Sequence, residues 1–159
     1  MLEYKLQIEF ARVSDAAEIA ALSKSDIERG LGWKYTPAAI ARRIADRSRN
    51  VVVARLDAGL AGFGIMTYYE DQANLDLLAV KRPYRRMKVG TRIVKWLEEV
   101  AVTAGAFNIF VQVRAGNRAA VAFYKRLGFA PVEEIGGYYG GVEAALVLSK
   151  TLRPMIGGT

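Results

Sequence analysis

The sequence predicts an α/β (α+β) chain, a mixed sheet with helices on both faces. Three observations point there. Seven short segments are apolar by alternation or in continuous runs. Four segments read as helices: one repeats its apolar residues at spacings of three and four, and three open on N-cap residues. The two kinds follow one another as β-α-α-β-β-β-α-β-α-β-β, and the strand–helix–strand unit inside that order demands a right-handed crossover.

Leu6 to Val13 alternates and reads as a strand, after which Ser14 or Asp15 caps a helix to about Ser23. Lys24 to Tyr35 is irregular. Thr36 before Pro37 is an N-cap followed by a first-turn proline, opening a helix to about Arg47. Val51–Leu56 and Leu60–Tyr69 form a hairpin around Asp57-Ala58-Gly59, and Ala73–Val80 is the next strand. Pro83 ends it. From Gly90 to about Thr103, Ile93, Trp96, Leu97 and Val100 share one helical face. Asn108–Val113 is a strand. Asn117 caps a helix to about Leu127, with Gly128 as its C-terminal glycine. Phe129–Tyr139 and Val142–Leu148 are the last strands. Neither repeat nor linker interrupts the chain, so residues 1–152 read as a single domain, and the Pro- and Gly-bearing stretch 153–159 as a flexible tail.

Composition narrows the chemistry. The 159 residues are 52% hydrophobic and 25% charged, ordinary for a globular protein. No run is long enough to span a membrane, and Met1 to Phe10 lacks the layout of a signal peptide, so no membrane partner is expected and a cytoplasmic location is the default. There is no cysteine and no histidine. That excludes disulfides, a thiol nucleophile, a Ser-His-Asp triad and the usual nitrogen and sulfur metal sites; no metal is expected. The net charge of +7 suggests an anionic partner.

That charge is concentrated. Between Lys81 and Lys95 stand Lys81, Arg82, Arg85, Arg86, Lys88, Arg92 and Lys95, with no acidic residue among them. The run leads directly into a helix start, where unpaired backbone N–H groups and the helix dipole favour a phosphate. Gly90 would let the backbone approach such a ligand.

Leu78-Ala79-Val80, Pro83 and Arg85-Arg86-Met87-Lys88-Val89-Gly90 resemble the acetyl-CoA loop of the GNAT N-acetyltransferases, whose pattern is apolar-Ala-Val, Pro, then Gln/Arg-x-x-Gly-x-Gly/Ala. Lys88 replaces the first glycine. Val113 and Asn117 to Phe129 resemble the second signature of that family, Val-x-x-x-Asn-x-x-Ala-x-x-Phe/Leu-Tyr-x-x-x-Gly-Phe. Within it, Val113-Arg114-Ala115-Gly116-Asn117 and Gly137-Tyr138-Tyr139 look loosely like the ribosomal-protein N-terminal (alanine) acetyltransferases. That group places a glutamate general base where this chain has Gln112, which takes no proton.

The resemblance implies the acyl-CoA N-acyltransferase fold, with about seven mostly antiparallel strands and four helices. It also implies direct transfer of acetyl from acetyl-CoA to a primary amine: a protein N-terminus, a lysine or a small molecule. Leu78, Ala79 and Val80 would line the pantetheine, with backbone groups of Leu78 and Val80 pairing to it. A backbone N–H near Val80 would polarise the thioester. Arg85, Arg86 and the N–H groups of Met87, Lys88, Val89, Gly90 and Thr91 would hold the pyrophosphate, and Asn117 would bond the pantetheine. Tyr124 is the family's position for the acid that protonates the leaving thiolate. Asp76, alternating with Asn74 away from Leu75 and Leu77, is the candidate base; Glu70 and Asp71 are weaker ones. By the same analogy Lys24–Tyr35 borders the acceptor, with Asp26 and Glu28 to attract an amine and Trp33 or Tyr35 as a wall. Tyr138 and Tyr139 are further lining candidates. Two alternatives stand beside this: a family member that binds CoA without turnover, and, less favoured, a basic nucleic-acid-binding module. A homodimer is left open.

Overall fold

The structure is a computed structural model and describes residues 5–152; the expected tail at 153–159 lies outside them, as do residues 1–4. The strands are β1 (Leu6–Phe10), β2 (Arg49–Leu56), β3 (Gly59–Tyr68), β4 (Gln72–Val80), β5 (Asn108–Arg114), β6 (Ala130–Tyr139) and β7 (Glu143–Thr151). The helices are α1 (Ala16–Asp26), α2 (Pro37–Ala45), α3 (Val89–Thr103) and α4 (Arg118–Arg126). The seven-stranded sheet has the order β1-β2-β3-β4-β5-β7-β6. β1–β2, β2–β3, β5–β7 and β6–β7 are antiparallel, whereas β4–β5 is parallel, as the intervening helix requires. Among the described residues no helix is long and apolar enough to cross a membrane.

Boundaries differ from the expected ones where side chains intervene. The first strand stops at Phe10, and Val13–Asp15 is a short 3-10 turn. Asp15 precedes α1 without capping it through its side chain. Its carboxylate instead accepts from the Arg12 N–H at 2.8 Å and pairs with Arg55 at 2.7 Å. Thr36 does cap α2, its Oγ1 accepting from the Ala39 N–H at 3.3 Å. The β2–β3 turn places Asp57 and Ala58 both at positive φ, 50° and 69°, as a tight hairpin of this type needs.

The chain falls into two compact units. The described residues of the first are 5–67 and 76–97. In it, Ile19, Ala20, Ile40, Val51, Val53, Phe63, Ile65 and Leu77 form a buried cluster between α1, α2 and one face of the strands. On the opposite face of β3, Gly62 and Gly64 stand where α3 presses in. A Cβ on Gly62 would lie 2.7 Å from the Ala79 carbonyl oxygen, and one on Gly64 3.0 Å from Ile93 and Leu97. The described residues of the second unit are 68–75 and 98–152. Here β5 lies between the start of β4 and β7 in register Leu75↔Val111 and Val111↔Leu148, with Ile109, Val111 and Leu148 buried.

Candidate active site

In the first unit, β4 ends at Val80 and the basic run begins. Lys81 donates its backbone N–H to the Ala61 carbonyl and its side chain pairs with Glu18 on α1. Arg82–Tyr84 makes one 3-10 turn, and the Met87 N–H donates to the Tyr84 carbonyl at 3.2 Å. Met87 therefore spends the donor expected on a phosphate. The first helical bond, Arg92 N–H to Lys88 carbonyl at 3.1 Å, leaves the N–H groups of Lys88, Val89, Gly90 and Thr91 without an acceptor among the described residues. Lys88, in place of the family's glycine, has φ +57°, so the left-handed step survives the substitution. For a residue with a Cβ that step costs about 1–2 kcal/mol. A left-handed residue in such a turn can aim successive N–H groups at one point, the geometry of an anion-binding nest.

Arg85 does something else. Its Nε donates to the Val80 carbonyl at 3.0 Å, and its other nitrogen pairs with Asp26 at 2.7 Å. Arg85 thus ties the loop to the end of β4 and to the end of α1, while Arg86 and Lys88 stay exposed. Asp26, expected to attract an amine, is committed to Arg85. Glu28 is committed too. It is 6% exposed, and its carboxylate accepts from the Lys34 N–H at 2.7 Å, the Tyr35 N–H at 3.1 Å and the Ser23 hydroxyl at 3.0 Å. It folds the Lys24–Tyr35 segment. Asp76 is half-buried and receives a hydrogen bond from the Thr67 hydroxyl, which itself accepts from Arg49 Nε at 3.2 Å.

In the second unit, Asn117 caps α4: its Oδ1 accepts from the Ala120 N–H at 3.1 Å, leaving the amide nitrogen to donate elsewhere. Tyr124 lies on that helix, 5% exposed. The far end explains the Tyr-x-x-x-Gly-Phe spacing. Gly128, at φ +96°, donates to the Lys125 carbonyl and Phe129 to the Tyr124 carbonyl, both at 3.0 Å, which is a Schellman closure. Such a closure brings the residue after the glycine back onto the helix, and the Phe129 and Tyr124 rings meet edge-on at 5.4 Å. Phe123 flanks Tyr124 at 5.0 Å. The signature is therefore a clamp on the Tyr124 ring. Its hydroxyl has no hydrogen-bond partner among the described residues. Burial, with the nearby Tyr139 phenol adding to it, pushes Tyr124 well above the ordinary tyrosine range. The phenol is protonated throughout the physiological range.

Gln112, at the position of the expected base, is locked in a reciprocal amide pair. Asn74 Nδ2 donates to Gln112 Oε1 at 3.1 Å, and Gln112 Nε2 donates to Asn74 Oδ1 at 2.8 Å. A glutamate would have only acceptors to offer and would break half of that pair. The sequence marks Asn74 only as a neighbour of Asp76; its pairing with Gln112 follows from the parallel register across β4 and β5. Tyr139 packs against Arg114, which also pairs with Glu143 at 3.1 Å, and Tyr138 is exposed. Glu70 and Asp71 are exposed at the β3–β4 turn.

Residues 17–129 match the model of the acetyltransferase (GNAT) family. The chain belongs to the GNAT family. Among curated relatives, N-alpha-acetyltransferase 50 of Danio rerio is 36% identical over 74 residues, covering 45% of this chain and 44% of the relative. The [ribosomal protein bS18]-alanine N-acetyltransferase of Salmonella typhimurium is 31% identical over 96 residues, covering 58% and 65%. The chain thus spans less than two thirds of these relatives' length. The crystal structure of PaiA N-acetyltransferase from Thermoplasma acidophilum in complex with coenzyme A superposes with a TM-score of 0.80 at 20% identity, over 92% of this chain and 99% of that one. This GNAT chain therefore has the fold of a protein solved with coenzyme A. Among its described residues no group of three or more Asp or Glu side chains is placed to hold a metal ion.

Proposed function

We propose that this GNAT chain transfers acetyl from acetyl-CoA directly to an α-amino group. The observation that carries the reading is the Tyr124 hydroxyl: buried, protonated, clamped by Phe129 and lacking a partner among the described residues. A buried hydroxyl without a hydrogen bond costs about 1–3 kcal/mol. Such a group is retained where a transient partner repays it, and the departing thiolate is that partner. Tyr124 would give it a proton as general acid. The four free N–H groups of Lys88–Thr91 suit the diphosphate, with Arg86 and Lys88 adding charge and Arg85 holding the loop to Val80. Leu78, Ala79 and Val80 would line the pantetheine, the Val80 N–H would polarise the thioester carbonyl, and the Asn117 amide nitrogen would bond the pantetheine.

The α-amine is favoured by what Gln112 is unable to do. At pH 7 a lysine amine is neutral in about one molecule in 2,500, whereas an α-amine is neutral in about one in six. With the usual base position held in an amide pair, the acceptor that needs least deprotonation fits best. Asp76, oriented by Thr67, is the remaining carboxylate for a water-relayed proton.

The test is a screen for thiol release from acetyl-CoA with short peptides. One set has free α-amines and no lysine; the other has blocked N-termini and internal lysines. Faster release from the first set is expected. Release from lysine peptides alone would overturn the α-amine assignment. CoA binding without release from any amine would assign the chain to non-catalytic binding.

A further inference from the structure

We propose that the acceptor is the amino terminus of a polypeptide whose following residues are acidic. The inference rests on the α-amine reading above and adds what lies beyond the reacting nitrogen.

The Lys24–Tyr35 segment adjoins the cofactor loop. Asp26 is bonded to Arg85 at 2.7 Å, and Glu18 of the same helix pairs with Lys81. An acceptor approaching alongside that loop therefore meets this segment. The segment has two carboxylates, and neither is available: Asp26 faces Arg85, and Glu28 is buried under three hydrogen bonds. What it exposes is Lys24, Trp33 and Lys34, with Lys24 lying 4.6 Å over the Trp33 ring and Lys34 5.6 Å over the Tyr35 ring. A cation held against an aromatic wall is well suited to a carboxylate on an extended peptide.

The wider charge distribution agrees. The described residues of the first unit hold seventeen lysines and arginines against eight aspartates and glutamates, whereas those of the second hold five against seven. Five of the eight acids in the first unit are ion-paired: Glu9 and Asp15 to Arg55, Glu18 to Lys81, Asp26 to Arg85 and Asp46 to Arg49. Within the run from Lys81 to Lys95, the proposed phosphate contacts use Arg86 and Lys88, while Lys81 and Arg85 are ion-paired. The phosphate contacts do not account for Lys24 and Lys34. A cationic surround also favours the neutral form of an approaching amine, which is the nucleophilic form. Polyamines and lysine-rich tails would meet repulsion there.

The test uses CoA-loaded protein and fluorescence anisotropy with two labelled peptides of equal length, Ala-Glu-Asp-rich and Ala-Lys-Arg-rich, each with a free amino terminus. Two exposed charge contacts, each worth up to about fivefold, predict tighter binding of the acidic peptide by about tenfold at low ionic strength. The ratio should shrink towards one at about 0.5 M salt. Lys24→Glu with Lys34→Glu should reverse the preference, and Lys24→Gln with Lys34→Gln should reduce it. Equal or stronger binding of the basic peptide, or a preference unmoved by the reversal, would overturn the proposal. So would tight binding of a single-stranded RNA oligonucleotide with no discrimination between the peptides, which would assign the charge to nucleic acid. This binding arm needs no turnover, so absence of thiol release in the peptide screen would count against the transferase reading alone.

Discussion

Replacing Tyr124 by phenylalanine removes one oxygen and leaves the ring. The ring carries the packing: it meets Phe123 at 5.0 Å and Phe129 at 5.4 Å, and both contacts survive the change. The oxygen contributes no hydrogen bond to the described fold, and burying it costs about 1–3 kcal/mol. The variant is therefore expected to be as stable as the parent or more stable by up to about 1 kcal/mol. For a chain of this size that is a rise of about 2–4 °C in Tm. If Tyr124 is the proposed general acid, turnover should fall by about 10²–10⁴-fold, and CoA affinity should stay within about twofold because the proposed diphosphate donors are other residues. Thermal denaturation, calorimetric titration with CoA and thiol release give the three readings. Destabilisation by more than about 1 kcal/mol with turnover intact would refute the reasoning, since it would make the hydroxyl a structural group with a partner.

Three further changes probe the scaffold. Lys88→Gly relieves a left-handed residue but frees the unfolded chain, so stability should rise by about 0.5–1 kcal/mol, while CoA affinity falls about two- to fivefold in a salt-dependent way through loss of one charge; equal affinity at low and high salt would remove Lys88 from the phosphates. Gly62→Ala places a Cβ 2.7 Å from the Ala79 carbonyl oxygen, so chemical denaturation should show a loss of about 1–3 kcal/mol, with weaker CoA binding as β4 shifts. Burial works to raise the Asp15 carboxyl, but the Arg55 guanidinium and the Arg12 N–H prevail and hold it below its ordinary value of 3.8. Its contribution to stability is present above that value and is lost as the pH falls through the lowered one. The stability gap between the parent and Asp15→Asn should therefore close below about pH 4, and a gap unchanged at pH 3 would contradict the assignment.

Much of the fold was legible because its periodicities are local. The eleven elements appear in the expected order, and Thr36, Asn117 and Gly128 act as the caps their residue types suggest. What was illegible depends on partners distant in sequence. Nothing near Asp26 or Glu28 announces that one will meet Arg85, 59 residues on, or that the other will be buried beneath its own loop. The amide pair of Asn74 with Gln112 requires the β4–β5 register, which neither strand encodes alone. Met87 looked like any other loop donor until the 3-10 turn before it took up its N–H. The positive φ of Lys88 was masked by its side chain, since the family pattern signals that conformation with glycine.

In the proposed site the N–H groups of Lys88, Val89, Gly90 and Thr91 receive the diphosphate of coenzyme A. Backbone amide chemical shifts during titration with CoA test it most directly, because the donors themselves are observed. Saturable downfield shifts are expected at those four amides, absent when pantetheine without phosphates is titrated. Saturation by CoA with those four resonances unmoved would contradict it.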